Sequence, residues 1–316
     1  MPEPAGAVVV LASFILDLVV RVPRRPYAGE SLIATDCALF VGGKGNNQAI
    51  AAARAGAEVR VIGRLGDDVF SPPFDAALAR EGIDTRWVTR DAEVGTGLAF
   101  PVIEPDGQNS IIVAPRANAR TSAEDVRAAE AAFDGARVLL AQFEVGAEAV
   151  WAAMEMAHAR GMRVLLNPAP APDAAMPLLA EIVGGADVLL PNEREAEALT
   201  GIAVADMAGA ERAARALLAR GCGSVVVTLG SRGTLWLAGP EAEAVALPPF
   251  AVTQVDATAA GDAFCGALAA ELARGEEMAE ALRRAGAAGA LAVTRLGAEP
   301  SLPTRAEVDA LLRARP

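Results

Sequence analysis

The sequence predicts an α/β protein with a doubly wound, mostly parallel sheet flanked by helices, together with a small β-sheet lid. Two observations lead to this fold class. Short runs rich in Val, Ile and Leu alternate with alanine-rich amphipathic stretches along most of the chain, as in parallel sheets that helices cover on both faces. Two other segments alternate apolar and polar residues and contain turn signals, which is typical of hairpins with one exposed face.

The expected strands of the main sheet are the apolar runs, and the expected helices are the amphipathic stretches between them. Strands are predicted at residues 8–11, 59–62, 138–141, 164–166, 188–190 and 225–228. Helices are predicted at residues 48–55, 73–80, 123–133, 147–159, 194–199 and 210–220. Because helical stretches separate the strands, successive strands can run parallel with the helices as crossover connections.

The segments of alternating polarity predict the lid. They are residues 18–40 and 96–114, with turn signals at residues 26–29 and 105–107. We expect one domain over residues 1–316, with a lid formed by about residues 17–41 and 95–115, because no repeat, linker or low-complexity tract divides the chain. Val and Ile side chains exposed on such a lid would need covering by a substrate or a partner.

The charge and hydropathy patterns exclude several classes of protein. The 28 Lys and Arg residues against 40 Asp and Glu residues give a net charge of −12, which argues against a nucleic-acid partner. The longest uncharged stretches, such as residues 4–16, are shorter than the roughly 18 residues that a membrane-spanning helix needs. The N-terminus, Met-Pro-Glu-Pro, lacks the basic region of a secretory signal, so we expect a cytoplasmic protein.

The scarcity of histidine and cysteine narrows the possible chemistry. His158 is the single histidine, so a Ser-His-Asp hydrolase or a histidine-rich zinc enzyme would have to be built on that one residue. Its alanine- and methionine-rich surroundings indicate a structural or surface role. The cysteines Cys37, Cys222 and Cys265 are far apart and form no CxxC pair, which predicts reduced thiols. Catalysis is therefore expected to rest on Asp, Glu, Lys and backbone amides.

The segment from Asp256 to Asp262 carries a possible catalytic group. The small residues 258–261 come directly before a predicted helix at residues 263–273, so the helix N-terminus can present bare N–H groups to an anion. A carboxylate at Asp262 could accept a proton from a hydroxyl beside that anion. The alternative is that Asp262 only caps the helix.

The glycine-rich segment at residues 42–47, GGKGNN, also comes before a predicted helix. It is not a Walker A loop, because Gly45 rather than Ser or Thr follows Lys44. The fingerprint of a nicotinamide-binding Rossmann module is also missing, because no GxGxxG follows the first strand. Glycines beside amide side chains suit close approach and hydrogen bonding to a polyhydroxy ligand. The alternative is a glycine-rich turn with a helix-capping Asn.

Five segments occur together in one order along the chain. They are residues 42–48, 167–170, 191–197, 228–233 and 256–262. On these segments the chain resembles the ribokinase-like sugar kinases (the phosphofructokinase B superfamily), and the resemblance extends from Ala12 to Ser301. It implies an ATP- and Mg²⁺-dependent kinase that phosphorylates a primary hydroxyl of a small sugar, with D-ribose converted to ribose 5-phosphate as the first choice.

The resemblance also implies roles for individual residues around the phosphates. Asp262 would be the catalytic base, and an anion hole for the γ-phosphate would come from Ala259, Ala260 and Gly261. Asn192 and Glu195 match the family's NxxE motif, in which Glu195 organises Mg²⁺ through water. The nucleotide would be bound by Asn192, Thr228, Gly230, Ser231, Gly233 and Gly286.

Two further groups of residues follow from the resemblance. The sugar would be bound by Asp17, Gly43, Lys44, Asn47, Glu144 and Asp262. A monovalent cation, with K⁺ as the activator, would be bound mostly through backbone oxygens of Asp256, Thr258, Ala292, Arg295, Gly297 and Ser301. The lid would close over the sugar and form the contact of a homodimer.

Three positions depart from the family pattern. Ile15 replaces an Asn that binds the sugar, Ala257 replaces a Thr near the phosphates, and Gly286 replaces a His beside the adenine. Because of Ile15, another pentose, a deoxy sugar or a nucleoside remains an alternative substrate. Two alternatives of other classes are a non-catalytic sugar or nucleotide sensor on the same scaffold and a structural or nucleic-acid-binding protein.

Overall fold

A computed structural model describes residues 6–105 and 109–314. Its strands, in chain order, are β1 Ala7–Ala12, β2 Ile15–Arg21, β3 Asp36–Gly42, β4 Val59–Gly66, β5 Asp84–Asp91, β6 Gly97–Ile103, β7 Asn109–Ala114, β8 Ala136–Ala141, β9 Arg163–Leu166, β10 Val188–Leu189, β11 Val225–Thr228, β12 Thr234–Leu237 and β13 Val245–Leu247. Its α-helices are α1 Lys44–Arg54, α2 Pro72–Arg80, α3 Ala123–Ala128, α4 Ala147–His158, α5 Leu179–Gly184, α6 Glu193–Thr200, α7 Met207–Leu218, α8 Ala260–Ala273, α9 Met278–Ala292 and α10 Arg305–Ala314.

Nine strands form the main sheet, in the order β13-β12-β11-β10-β9-β8-β1-β4-β5. The strands from β11 to β5 in this order are parallel, whereas β12 and β13 pair antiparallel. The chain leaves β1 first toward β4 and β5 and later returns to its other side at β8. Ligands in open α/β sheets bind at the carboxyl ends of the strands where the strand order reverses, and here that place lies between β1 and β8.

Alternate residues of β1 enter two separate apolar cores. Val8 and Val10 pack with residues of α1, α8 and α9 on one face of the sheet. Val9 and Leu11 pack with residues of α3, α4 and α7 on the other face. All four side chains are fully buried, so helices cover both faces, and the predicted doubly wound α/β fold is confirmed.

The small sheet contains the strands β3-β2-β6-β7 in that order. The predicted hairpins are present as the antiparallel pairs β2–β3 and β6–β7. The hairpins are joined by a parallel pairing of β2 with β6, in which Ile15 lies opposite Gly97, and the alternating pattern alone did not predict this pairing. Of the turn predicted at residues 105–107, only Pro105 belongs to the described residues.

Several predicted helices have different boundaries in the structure; α7 and α8, for example, each begin three residues earlier than predicted. The glycine-rich segment does not precede its helix as a loop, because α1 already begins at Lys44 with Gly43 as its N-cap at φ 90°. The helix predicted at residues 123–133 divides at Ala129 into α3 and a short 3₁₀ helix, Glu130–Phe133.

The remaining composition-based expectations concern the membrane and the histidine. Over the described ranges, no helix combines the length and the apolar character needed to cross a membrane. His158 lies at the C-terminal end of α4 with its side chain 41% exposed, and its Nε2 is 3.6 Å from the Asp187 carboxylate. This position agrees with the structural or surface role predicted for it. The three cysteines are free thiols.

Candidate active site

Asp262 lies in the first turn of α8 and its side chain is buried. The N-cap of this helix is Ala259, which adopts a left-handed conformation at φ 59°, so the alternative that Asp262 is the capping residue is wrong. The first N–H groups of an α-helix have no partner within the helix, and they attract anions. Ala259, Ala260 and Gly261 line the same cleft as Asp262.

Two amide side chains from α1 hold the Asp262 carboxylate. Asn47 Nδ2 donates to Oδ2 at 3.0 Å, and Gln48 Nε2 donates to Oδ1 at 3.1 Å. The two helices can approach closely because α8 has Gly266 at their contact, where an added Cβ would lie 2.5 Å from Ala51 Cβ. Burial raises the pKa of Asp262, while Lys44 and the two amides act to lower it.

Glu144 follows β8 and is bound to the start of α1. One of its oxygens, Oε2, accepts hydrogen bonds from Ser13 Oγ at 2.7 Å and from the Lys44 backbone N–H at 2.8 Å. Ser13 Oγ in turn accepts from Gly45 N at 3.0 Å. A carboxylate at a helix N-terminus is stabilised by the helix dipole, whereas burial raises the pKa of Glu144.

Asp17 projects from β2 toward the same place. Burial, together with the charges of Glu144 and Asp262, raises its pKa to about 7. A Cβ at position 42 would lie 2.6 Å from Asp17 Oδ2, and one at position 43 would lie 2.6 Å from Ser13 O. Only glycines at Gly42 and Gly43 leave room for this carboxylate and for the turn into α1. The site thus presents several hydrogen-bond acceptors to one ligand.

Lys44 lies between the carboxylates and lines the cleft. Burial acts to lower its pKa, but the charges of Asp262, Glu144 and Glu195 outweigh burial and raise it. The ammonium is therefore held in its charged form. Within the described part of the chain it forms no direct ion pair with any of these carboxylates, so it is available to an anionic ligand in the cleft.

Asn192 and Glu195 form a reciprocal cap at the start of α6. The Asn192 side chain accepts from Glu195 N at 2.9 Å, and Glu195 Oε2 accepts from Asn192 N at 2.9 Å. Asn192 Nδ2 also donates to Glu195 Oε1 at 2.8 Å. Burial raises the pKa of Glu195. The NxxE pair therefore forms one rigid unit at the carboxyl end of β10.

The cleft between these elements has a volume of about 170 Å³. It is lined by Lys44, Asn167, Ala169, Leu190, Asn192, Glu195, Thr228, Ala257, Ala259, Ala260, Gly261, Asp262 and Cys265. The catalytic and phosphate-side residues predicted from the sequence are thus brought together. Asp17, Gly43, Asn47 and Glu144 adjoin this cleft through the contacts to Asp262 and to the start of α1.

The other predicted nucleotide residues flank the cleft instead of lining it. Gly230 and Ser231 form an exposed 3₁₀ turn after β11, and Gly233 ends this turn at φ 90°. Gly286 lies on α9, where an added Cβ would be 3.7 Å from the Phe250 ring.

The residues predicted to bind a monovalent cation are on two adjacent loops, one before α8 and one after α9. Asp256 Oδ2 accepts from Gly297 N at 2.9 Å, and Asp256 Oδ1 accepts from Thr258 Oγ1 at 2.7 Å. Burial acts to raise the pKa of Asp256, but these hydrogen bonds outweigh it and lower the pKa. The Arg295 guanidinium pairs with Glu307, and Ser301 is fully buried with its hydroxyl donating to Ala298 O at 2.8 Å.

Three residues of the site were not assigned a role from the sequence. Ser13 binds Glu144, Gln48 binds Asp262, and Asn167 lines the cleft and accepts from Gln48 Nε2 at 3.1 Å. Asn167 follows a predicted strand, and Gln48 belongs to the matched segment at residues 42–48. These positions could have indicated that both residues belong to the site. Their partners are distant in sequence, so local patterns could not identify their roles.

Comparisons with known proteins agree with this geometry. The family described as "pfkB family carbohydrate kinase" matches residues 6–305. A ribokinase of Haemophilus influenzae is 39% identical over 94% of this chain and 95% of that protein. A deoxyribokinase of Salmonella typhi is 33% identical over 94% of this chain and 95% of that protein. The structure of Arabidopsis thaliana ribokinase complexed with ribose and ATP is similar with a TM-score of 0.90 and 31% identity, covering 98% of this chain and 99% of that one.

Proposed function

Because the chain belongs to the pfkB family of carbohydrate kinases, we propose that it transfers the γ-phosphoryl group of ATP to the primary hydroxyl of D-ribose, which gives ribose 5-phosphate and ADP. One observation carries this proposal. The buried Asp262 carboxylate lies in the first turn of α8, and this helix N-terminus opens on the cleft that Lys44 and the Asn192–Glu195 pair also line. The ribokinases among its relatives, one of them solved with ribose and ATP, support the choice of substrates.

The proposed reaction is an in-line displacement. Asp262 takes the proton of the sugar hydroxyl while the hydroxyl oxygen forms a bond to the γ-phosphorus, and the bond from that phosphorus to the ADP oxygen breaks. Charge on the transferring phosphoryl group meets the N–H groups of the first turn of α8 and the Lys44 ammonium. Fixed donors of this kind stabilise the transition state without reorganisation.

Sugar orientation is assigned to the polar residues next to the base. Asp17 and Glu144 offer carboxylate oxygens, and Asn47 offers its Oδ1, which is buried without a hydrogen-bond partner in the described part of the chain. A sugar hydroxyl could supply the missing donor. Closure of the small sheet as a lid would exclude water, which otherwise competes as the phosphoryl acceptor.

The residues present suit Mg²⁺ held mainly by the nucleotide. In the described ranges, His, Cys, Asp and Glu form no cluster of three or more that could hold a metal. Mg²⁺ at nucleotide sites usually keeps its waters and takes only one or two carboxylates, together with the substrate phosphates. Glu195 would hold that ion through water, and the ion would neutralise phosphate charge.

We assign K⁺ as an activator bound between the loops at residues 255–258 and 293–301. The hydrogen bond from Gly297 to Asp256 and the buried hydroxyl of Ser301 support this, as does the C-terminal end of α9, whose last carbonyls attract a cation. Ala292, Thr258 and the Arg295 backbone would complete the oxygen set. The cation would brace the loop that leads into α8.

The apolar side chains exposed on one face of the small sheet support a homodimer joined through the lid, which we propose to be cytoplasmic from the sequence. Leu39 pairs with Leu18 and Ile112 pairs with Phe100 on this face, and they are 62% and 69% exposed. Ile111 and Val113 project to the opposite face. Exposed apolar side chains that share a face mark a contact surface. Ile112→Asp should therefore yield a monomer in sedimentation velocity if the lid forms the dimer, whereas Val69→Asp, on an exposed loop of the main domain, should leave the dimer intact.

A deoxy sugar is the second candidate substrate. Ile15 is apolar and buried at the position where the family's sugar-binding Asn stands, and one relative is a deoxyribokinase. A coupled assay of ADP release with D-ribose, 2-deoxy-D-ribose, other pentoses and nucleosides, with Mg²⁺ and K⁺ present, decides between them. No turnover on any of these substrates would refute the kinase proposal, and calorimetric sugar binding without turnover would instead support a sensor.

A further inference from the structure

We infer that Gln48 is a positioning residue that fixes the orientation of the Asp262 carboxylate for proton transfer, an inference that rests on the proposed function. Gln48 is fully buried on α1. Its Nε2 is 3.1 Å from Asp262 Oδ1 and 3.1 Å from Asn167 Oδ1. It touches the base without belonging to the set of residues assigned to the sugar.

The hydrogen bonds link Leu190, Asn167, Gln48 and Asp262 in series, and the backbone carbonyl of Leu190 determines the direction of each bond. Leu190 O can only accept, so the Asn167 group facing it at 2.9 Å is the Nδ2 donor. The Asn167 Oδ1 then faces Gln48 and requires a donor, which only the Nε2 group of Gln48 supplies. The second hydrogen of that group is directed at Asp262 Oδ1.

This arrangement limits where Asp262 can receive a proton. The lone pair of Oδ1 that faces Gln48 already accepts a hydrogen bond, and Oδ2 accepts one from Asn47 Nδ2. The incoming proton must therefore arrive on a remaining lone pair, on the side of the cleft. Gln48 holds the carboxylate in this rotamer from α1, the helix whose first residues contact Glu144.

Local stability does not account for a glutamine at this position. The Gln48 Oε1 is buried and has no hydrogen-bond partner within residues 6–105 and 109–314, and an unsatisfied buried acceptor costs free energy. An apolar side chain of the same length, such as Met, would remove that cost. The feature that Met could not replace is the Nε2 donor shared between Asn167 and Asp262.

Besides the neutral Gln48, several titratable groups face Asp262. Lys44 lies on α1, Glu195 on α6, Glu144 after β8, Asp17 on β2, and the Cys265 thiol on α8. Gln48 is neutral, so its removal leaves these charges in place. Replacing Gln48 should therefore remove one hydrogen bond to the ionised carboxylate of Asp262. Losing such a bond raises the pKa of the acid that accepted it.

The test compares Gln48→Met with Gln142→Met in the coupled assay from pH 5 to 9 on the sugar that the wild type accepts. Gln142 is a matched control, since it is also a fully buried glutamine, but it binds Leu11 O and the Glu144 backbone. We expect Gln48→Met to lower kcat by about 10-fold or more and to move the acidic limb of the kcat profile to higher pH, with the sugar KM changed by less than about 3-fold. Gln142→Met should raise the sugar KM without that shift of the acidic limb.

The other outcomes are equally decisive. Wild-type kcat and pH profile in Gln48→Met would overturn the positioning role while the kinase function stands, and the same fall in both variants without a pH shift would also overturn it. An inactive wild type would overturn both the proposed function and this inference. If Gln48→Met does not fold, Asn167→Leu removes the acceptor that fixes the direction of the Gln48 amide; this should move the acidic limb in the same direction by a smaller amount, and an unmoved limb would overturn the inference.

Discussion

The Asn118 side chain forms hydrogen bonds with both the backbone N–H and the backbone carbonyl of Phe14. Its Oδ1 accepts from Phe14 N and its Nδ2 donates to Phe14 O, each at 2.8 Å, and the same Nδ2 donates to Pro115 O at 3.0 Å. Phe14 connects β1 to β2, and Pro115 follows β7, so one buried side chain ties together two of the attachments of the small sheet. Asn118 therefore stabilises the junction between the small sheet and the main domain.

We predict opposite effects on stability for two fully buried asparagines. Asn118→Ala leaves Phe14 N without a partner and should lower the free energy of unfolding by about 2–4 kcal/mol. Asn46 is equally buried, but neither polar atom of its amide has a hydrogen-bond partner among the residues that the structure describes. Asn46→Ala should therefore raise the free energy of unfolding by about 1 kcal/mol. Urea unfolding measures both, and a destabilised Asn46→Ala variant would contradict the prediction.

Asp17 should make stability depend on pH. Its pKa is raised to about 7 in the folded protein, against about 3.9 in an unfolded chain. The protonated form therefore contributes stability that is complete below about pH 4 and is lost as the pH rises to about 7. Asn has no carboxyl group to ionise, so Asp17→Asn should not show this loss of stability as the pH rises.

For Asp17→Asn we expect the free energy of unfolding, relative to wild type, to increase between about pH 4 and pH 7 and then to level off. Sugar affinity should fall by about 10-fold or more, since a carboxylate acceptor is lost. Urea unfolding without sugar gives the first quantity and calorimetry gives the second. A stability difference that is constant across this pH range would disprove the assigned titration.

Arg54 should be a main stabiliser of the loop after α9. Its guanidinium donates to Glu299 O at 2.8 Å and to Leu302 O at 2.9 Å, and it pairs with Glu81 while its side chain is only 14% exposed. Arg54→Met should cost about 2–4 kcal/mol, because it leaves carboxylates and carbonyls without their partner.

The matched control for Arg54 is Arg80, which pairs with the same Glu299 but is 55% exposed. Arg80→Met should cost less than about 1 kcal/mol. If Ser301 binds K⁺, only Arg54→Met should also raise the K⁺ concentration needed for half-maximal activity. Equal destabilisation by both variants would show that burial of the pair is unimportant.

Gly43 should tolerate no side chain. It has φ 90°, and an added Cβ would lie 2.6 Å from Ser13 O and 2.9 Å from Ile15 N. Gly43→Ala should destabilise by at least about 2 kcal/mol and weaken sugar binding. Apart from its two chain neighbours, no described residue has an atom within 4 Å of the Cβ position of Gly239, so Gly239→Ala should change stability by less than about 0.5 kcal/mol. Thermal unfolding with and without sugar compares the two variants.

The sequence was most informative where function depends on local geometry. A helix N-terminus with small residues can be predicted from Ala259, Gly261 and the helical run after them, because the N–H groups and Asp262 belong to one short segment. The same holds for the capping pair of Asn192 and Glu195, which are three residues apart.

Roles that depend on distant contacts were not predictable. Ser13 acquires its role from Glu144, which is 131 residues away, and Gln48 from Asp262, which is 214 residues away. The start of α1 was placed too late, because glycine and asparagine disfavour helix interiors. In this fold the burial and contacts of these residues at the first turn outweigh that preference.

The contacts between α1 and α8 have a consequence for how the protein is made. Asn47 and Asp262 are 215 residues apart, so α1 leaves the ribosome long before Asp262 is synthesised. A nascent chain that ends before α8 already contains Asp17, Lys44 and Glu144 but lacks Asp262 and the N-terminus of α8. On the proposed mechanism such a chain has no proton acceptor and no anion-binding helix end, so phosphoryl transfer begins only after α8 has left the exit tunnel and docked against α1.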